Sequence, residues 1–180
     1  MKVFLLEYLP RLVPGWVHGE HFLLVPHEGK SDLDRSFPKK LANWREPGVR
    51  FVIVRDNDNA NCLELKSYLL KCCIPYGHQV TVRLICQELE AWYLGDMDAL
   101  ARTYPKDRKA IQRLLKRFPD PDACHKPSHE LERNIPAFQK RDAARRLGQL
   151  LSHTTNRSTS LCVFSRGVTS FLQIKLEFDA

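Results

Sequence analysis

The sequence has no run near the ~18 consecutive apolar residues that a membrane-crossing helix needs, so no membrane is expected among its partners. Its first residues lack the basic, apolar and small-residue succession of a secretory signal, and a cytoplasmic location is expected. Six cysteines are present but no C-x-x-C spacing, and Cys72 and Cys73 are adjacent. A chain this long needs no covalent staples, so reduced and mostly buried thiols are expected. Cys124, His125 and His129 are the nearest thing to a metal signature, a weak one because they lack a fourth partner at zinc spacing. The segment that ends in Gly29-Lys30 holds only that one glycine, so the GxxxxGK[ST] phosphate loop is absent, and no serine, cysteine or histidine nucleophile motif can be found. Internal repeats and low-complexity tracts are lacking too.

What is present is a chain of 180 residues, 43% hydrophobic and 27% charged, with a net charge of +7. That balance describes a folded chain with a buryable core. The charge is unevenly placed. Residues 102–157 hold 14 Lys/Arg against 6 Asp/Glu, whereas the rest of the chain is nearly neutral. Arg113, Lys116 and Arg117, followed by Lys140, Arg141, Arg145 and Arg146, can be a solvated helical face or can meet a phosphate backbone.

Apolar spacing predicts a helix over Lys2–Val13, a buried strand over Phe22–Pro26 and a helix from Leu33 to Trp44. The β-branched run Val49–Val54 predicts a central strand covered on both faces. A helix from Leu63 to Cys72, a strand over Val80–Cys86 and helical segments at Glu88–Leu94 and Asp98–Tyr104 follow. This alternation points to an α/β fold with a mainly parallel sheet. Beyond it, Ile111–Phe118, Leu131–Ile135 and Ala137–Leu151 read as helices, and Leu161–Leu172 turns apolar again. The expected organisation is an α/β core over residues 1–101 with a basic helical region, 102–180, packed on it.

Open parallel sheets bind ligands beyond the carboxyl ends of their strands, and the acids of this sequence stand there. Asp56 and Asp58 end one strand and, in extended backbone, would point to the same side. Glu88 and Glu90 follow the next strand and would join them. Such a group of carboxylates suits a hard cation, Mg²⁺ or Mn²⁺. Asp and Asn are also ordinary turn and N-cap residues, and a helix already begun at Glu88 would let only one of the two glutamates face the cluster. Lys30 is a candidate phosphate contact beside the acids. Trp16, Trp44 and Trp92 read as packing residues.

Three segments together resemble a known family: His27-Glu28-Gly29-Lys30-Ser31-Asp32-Leu33, then Val52-Ile53-Val54-Arg55-Asp56-Asn57-Asp58 with Cys62 and Leu65-Lys66, then Glu88-Leu89-Glu90-Ala91-Trp92-Tyr93-Leu94-Gly95-Asp96. They are similar to the bacterial family known as domain of unknown function 4276, as are Pro119-Asp120-Pro121-Asp122, Lys126-Pro127 and Asn156-Arg157-Ser158-Thr159-Ser160 with Phe164 and Gly167. That family looks like a relative of the TOPRIM fold of topoisomerases, primases and overcoming-lysogenization-defect nucleases. The resemblance implies that Asp56 and Asp58 are the Asp-x-Asp metal pair, that Glu88 or Glu90 is a further acid, and that the activity is phosphoryl transfer, foremost a nuclease acting on DNA or RNA in defence against mobile elements. It also implies an earlier strand ending in a catalytic Glu, which neither Glu7 nor Glu28 replaces, so the chain would be a late-start version with weak or no cutting by itself. A non-catalytic nucleic-acid or phosphate-binding module, or a structural subunit of a larger assembly, stays open beside the nuclease.

Overall fold

The computed structural model describes residues 1–76 and 79–172. The last eight residues of the expected C-terminal region lie outside them. The fold is mixed α/β but mostly helical, with one small sheet of two parallel strands among the described residues. The sheet is parallel, as expected, but among the described residues it has two strands where the alternation of strands and helices suggested more. The strands are β1 (Arg50–Asp56) and β2 (Gln79–Ile85), in register from Arg50 opposite Gln79 to Asp56 opposite Ile85. β1 is therefore one of a pair and not a central strand, and only Ile53 in it is fully buried.

Helix α1 (Lys2–Leu12) and helix α2 (Lys30–Asn43) precede the sheet, and α3 (Cys62–Lys71) connects its two strands. Asn61 starts α3 by accepting from the backbone N–H groups of Leu63 and Glu64, two of the donors a helix start leaves without partners. After β2 come α4 (Glu90–Leu94), α5 (Met97–Thr103), α6 (Arg108–Arg117), α7 (Pro127–Asn134), α8 (Lys140–Gly148) and α9 (Thr159–Phe171).

The expected strand over Phe22–Pro26 does not form. Phe22 makes an isolated bridge to His18, and the Phe22 carbonyl accepts from Gly19 N–H, so the segment folds back on its own turn instead of finding a neighbouring strand. Leu23 and Val25 are left exposed. The predicted C-terminal apolar segment is a helix, α9, capped by the Ser158 side chain on the Leu161 N–H.

Alternation along the strands serves two separate cores. Val52, Val54 and Ile85 face the larger one, built from α1, α4 to α9 and the intervening turns, with Trp92 and Tyr8 at its centre. Ile53, Val80, Val82 and Leu84 face the smaller one under α2 and α3, with Phe37, Leu41 and Leu69. Trp92 donates to Ser160 Oγ at 2.8 Å and touches the Phe4 and Phe164 rings, in keeping with a packing role. All six cysteines are free thiols.

The first helix closes against the eighth. Gly148 permits this, because a Cβ there would press on the Phe4 carbonyl and the Glu7 side chain. Arg11 then donates to the Gly148 and Leu151 carbonyls at 3.0 Å, answering acceptors that the end of α8 leaves open. This pairing sets the start of α1 beside the start of α8, at the carboxyl end of the sheet, and thereby builds the walls of the site. No helix among the described residues is long and apolar enough to cross a membrane.

Candidate functional site

Two loops leave the carboxyl ends of the strands, and they are stitched together. The parallel ladder continues past the strands, with Asn57 N–H donating to the Ile85 carbonyl at 2.9 Å and Asp58 N–H to the Gln87 carbonyl at 3.2 Å. The buried Asn57 side chain accepts from Gln87 N–H and donates to the Ala60 carbonyl and to Cys62 Sγ. Asp58, Asn59 and Gln87 take positive φ values of 46°, 63° and 61°, which short polar or flexible side chains tolerate better than branched ones. Asp58 is thus not on extended backbone, and the simple two-residue alternation ends at Asp56. The loop, held by Gln87, brings both aspartates to one place all the same.

That place is a cleft of about 440 Å³ lined by Asp56, Asp58, Glu88, Glu90, Tyr93, Lys140, Arg141 and the first residues of α1. All four acids singled out in the sequence meet there. Glu88 and Glu90 both line it, although Leu89 between them is already helical and the Glu88 carbonyl accepts from the Ala91 N–H, so the expectation that only one would face the cluster is not met. The four differ in what already holds them. Lys30 reaches Asp58 at 2.9 Å, so the candidate phosphate contact is engaged with an acid. Glu88 accepts from the Ser128 N–H at 3.0 Å and so completes the first turn of α7. Asp56 Oδ1 is buried with no hydrogen-bond partner among the described residues, and so is the hydroxyl of Tyr93 beside it.

Electrostatics follow from that crowding. Burial, then the neighbouring carboxylates of Glu90 and Asp58, push Asp56 up to about 7, against which the Met1 amino group pulls down. Glu90 also rises, chiefly by burial, with its own backbone N–H and Lys140 opposing the shift. The Tyr93 phenol is held well above its usual range by burial first and Glu90 second. A carboxyl poised near neutrality can hold a proton or give it up in the working pH range, and perturbed groups in a cleft mark candidate sites.

The basic residues divide. Lys140 and Arg141, on the first turn of α8, face the acids across the cleft. Arg145 and Arg146 bind Asp142 on the same helix, and Arg146 also donates to the Thr103 carbonyl. Arg117 is paired with Glu130 at 2.9 Å. Arg113 and Lys116 are exposed on α6, away from the cleft lining. Sequence reasoning misses Met1, Lys2 and Tyr93 as cleft residues, since only the packing of α1 on α8 brings the chain's first residues here. Asn57 passes by its type for one more turn residue, and its length, right for spanning two loops, is the signal that could single it out.

The carboxylates are hard oxygen donors, and an unpartnered buried Asp56 oxygen among them suits a divalent cation. Among the described residues no three His, Cys, Asp or Glu side chains already stand close enough to hold one.

The class defined so far is a mostly helical α/β protein whose acids collect at the ends of two parallel strands, opposite the cationic start of a helix. Residues 55–166, more than half of the chain, match the family described as Domain of unknown function (DUF4276), and the chain belongs to that family. The match begins one residue before Asp56 and ends within α9, so it takes in every candidate acid and every candidate arginine or lysine except Lys30. Neither a curated protein nor a solved structure matches the chain.

Proposed function

We propose that the cleft is a divalent-metal-dependent phosphoryl-transfer site, foremost that of a TOPRIM-like nuclease acting on DNA or RNA. One observation carries this reading: four carboxylates from two parallel strand ends share a single cleft with Lys140 and Arg141, while Asp56 keeps a buried oxygen without a partner among the described residues. Asp56 and Asp58, with Glu88 or Glu90, would hold Mg²⁺ or Mn²⁺, which supplies Lewis acidity and offsets charge developing on a phosphate. Lys140 and Arg141 orient the phosphate against the acids. Glu90, raised by burial, is the group that accepts a proton at its carboxylate.

A second reading is a phosphate- or nucleic-acid-binding module that does not cut. It is favoured by Lys30 on Asp58 and the Ser128 N–H on Glu88, which leave two of the four acids already engaged. A melting series separates the two. Millimolar Mn²⁺ is expected to raise the melting temperature of the parent, with the response shrinking in Asp56→Asn and Asp58→Asn, since a ligand bound only by the folded state adds RT ln(1 + [L]/Kd). Absence of any metal response in the parent, with salt-dependent nucleic-acid binding retained, selects the non-cutting module.

A further inference from the structure

The outer face of α3 does not look like the surface of a solitary chain. Leu65, Leu69 and Cys73 turn inward to the smaller core. On the opposite side Leu63 is 81% exposed and Leu70 37%, and Ile74, in the turn that follows, is 76% exposed. With Ser67 between them, Leu63 and Leu70 are spaced 4 and 3 residues apart on α3, and Ile74 stands just past the end of that helix. That spacing keeps side chains on one stripe of a helix and is the spacing of a coiled-coil seam. Exposed apolar side chains scattered singly mean little, but an aligned set on one helix marks a contact surface.

Charge says what the contact is with. Glu64 and Lys71 flank the stripe on the same side, three and four residues from Ser67 in opposite directions. A second copy of α3 laid antiparallel, with the two-fold axis near Ser67, sets Glu64 opposite Lys71 of the partner subunit, and Lys71 opposite Glu64 of the partner subunit. Both ion pairs come from one symmetry operation, as an isologous interface requires. The stripe is compatible as well. Leu63 comes opposite Leu70 of the partner subunit, while a hollow over Ser67, bordered by Leu63, Glu64, Tyr68 and Lys71, takes up a partner side chain. A parallel two-fold pair would put the Glu64 and Lys71 flanks of the two helices on opposite sides of the interface and form neither ion pair.

We infer that this protein self-associates through α3 as an antiparallel two-fold dimer. The inference is independent of any chemistry in the cleft. Two helical turns bury less than the roughly 1,200 Å² of a standard interface, so the dimer is a weak one. Its Kd is expected in the tens of micromolar, seen by sedimentation equilibrium of the full chain from 1 to 500 µM.

Leu63→Asp with Ile74→Asp should raise the dimer Kd at least tenfold, because Leu63 is the apolar side chain set against Leu70 of the partner subunit. Each single charge reversal, Glu64→Lys or Lys71→Glu, should weaken association about fivefold, because it places like charges together twice in the symmetric pair. The double reversal, Glu64→Lys with Lys71→Glu, should restore it, and an equimolar mixture of the two single variants should associate more tightly than either alone. Circular dichroism melts of each variant check that the fold is retained. A parent that is monomeric at 500 µM overturns the inference. So does a dimer indifferent to Leu63→Asp with Ile74→Asp, or one that the double reversal leaves as weak as the single ones.

Discussion

The two faces of the sheet are covered very unequally. On one side Val52 and Val54 lie with Ile85 against the large core built from seven helices and the turns between them. On the other, Ile53 and Val82 share a much smaller core, six residues among those described, with α2 and α3. At roughly 25 cal/mol per Å² of apolar surface buried, stability resides overwhelmingly on the first side. The acids stand where the two meet. Glu88, Glu90, Lys140 and the first residues of α1 extend from the large core, whereas the small one reaches the cleft through Lys30 of α2 on Asp58. A site at such a boundary can adjust on its lightly packed side while its other side stays fixed.

Trp92→Ala should have the largest effect. It empties the centre of the large core and removes the bond to Ser160, so a loss of about 3–5 kcal/mol is expected, read from chemical denaturation, with both cores unfolding together. Leu69→Ala should cost about 2–4 kcal/mol, and it should do so locally. Hydrogen exchange is expected to speed up across α2 and α3 while amides of α4 and α9 stay protected. Equal acceleration everywhere would erase the distinction between the cores.

Asp56→Asn should act through pH. The folded protein holds the Asp56 carboxyl near 7 against an ordinary 3.8, so it prefers the protonated form. Stability from that preference is complete below about pH 4 and is lost as pH rises through about 7. Asparagine carries no such dependence. The variant should therefore melt close to the parent at pH 4 and several degrees above it at pH 8, at about 2–4 °C per kcal/mol for a chain of this size. Melting curves at both values check this, and a variant that melts below the parent at pH 8 would return Asp56 to the role of a turn residue.

The smallest expected effect concerns the basic residues. If the chain binds duplex DNA, replacing Lys140 and Arg141 by alanine should reduce the slope of log affinity against log salt by about 1.8, or 0.9 for each phosphate no longer neutralised. Replacing Arg145 and Arg146 should change it less, because Asp142 holds them at 2.9 and 3.4 Å, closer than the 3.8 Å at which Lys140 stands from Glu132. A fluorescence-anisotropy salt titration distinguishes the two pairs.

Elements defined by local chemistry are legible in the sequence. The β-branched run Val52–Val54 and the Val80–Ile85 segment form the strands, and the apolar periods of α1, α2, α3 and α6 fall where expected. Phe22–Pro26 departs from its apolar pattern because such a run becomes a strand only beside another strand, and this one is turned back at His18. The acids are legible as a group since two strand ends in register bring their following loops together. Their partners are not. That Ser128 binds Glu88, that Lys30 binds Asp58, and that the start of α1 lines the cleft all depend on contacts between distant segments, for which local sequence carries no sign.

The stitching of the two acidic loops has a further consequence. Adjacent strands stand about 4.8 Å apart, and Asn57, by carrying the ladder beyond the strands, transmits that spacing to the carboxylates. The gap between the Asp56 loop and the Glu88 loop is thereby gauged by the backbone itself, like jaws set by a fixed ruler. That side of the cleft is fixed by backbone hydrogen bonds, while the facing side, with Lys140 and Arg141, comes from a separate helix.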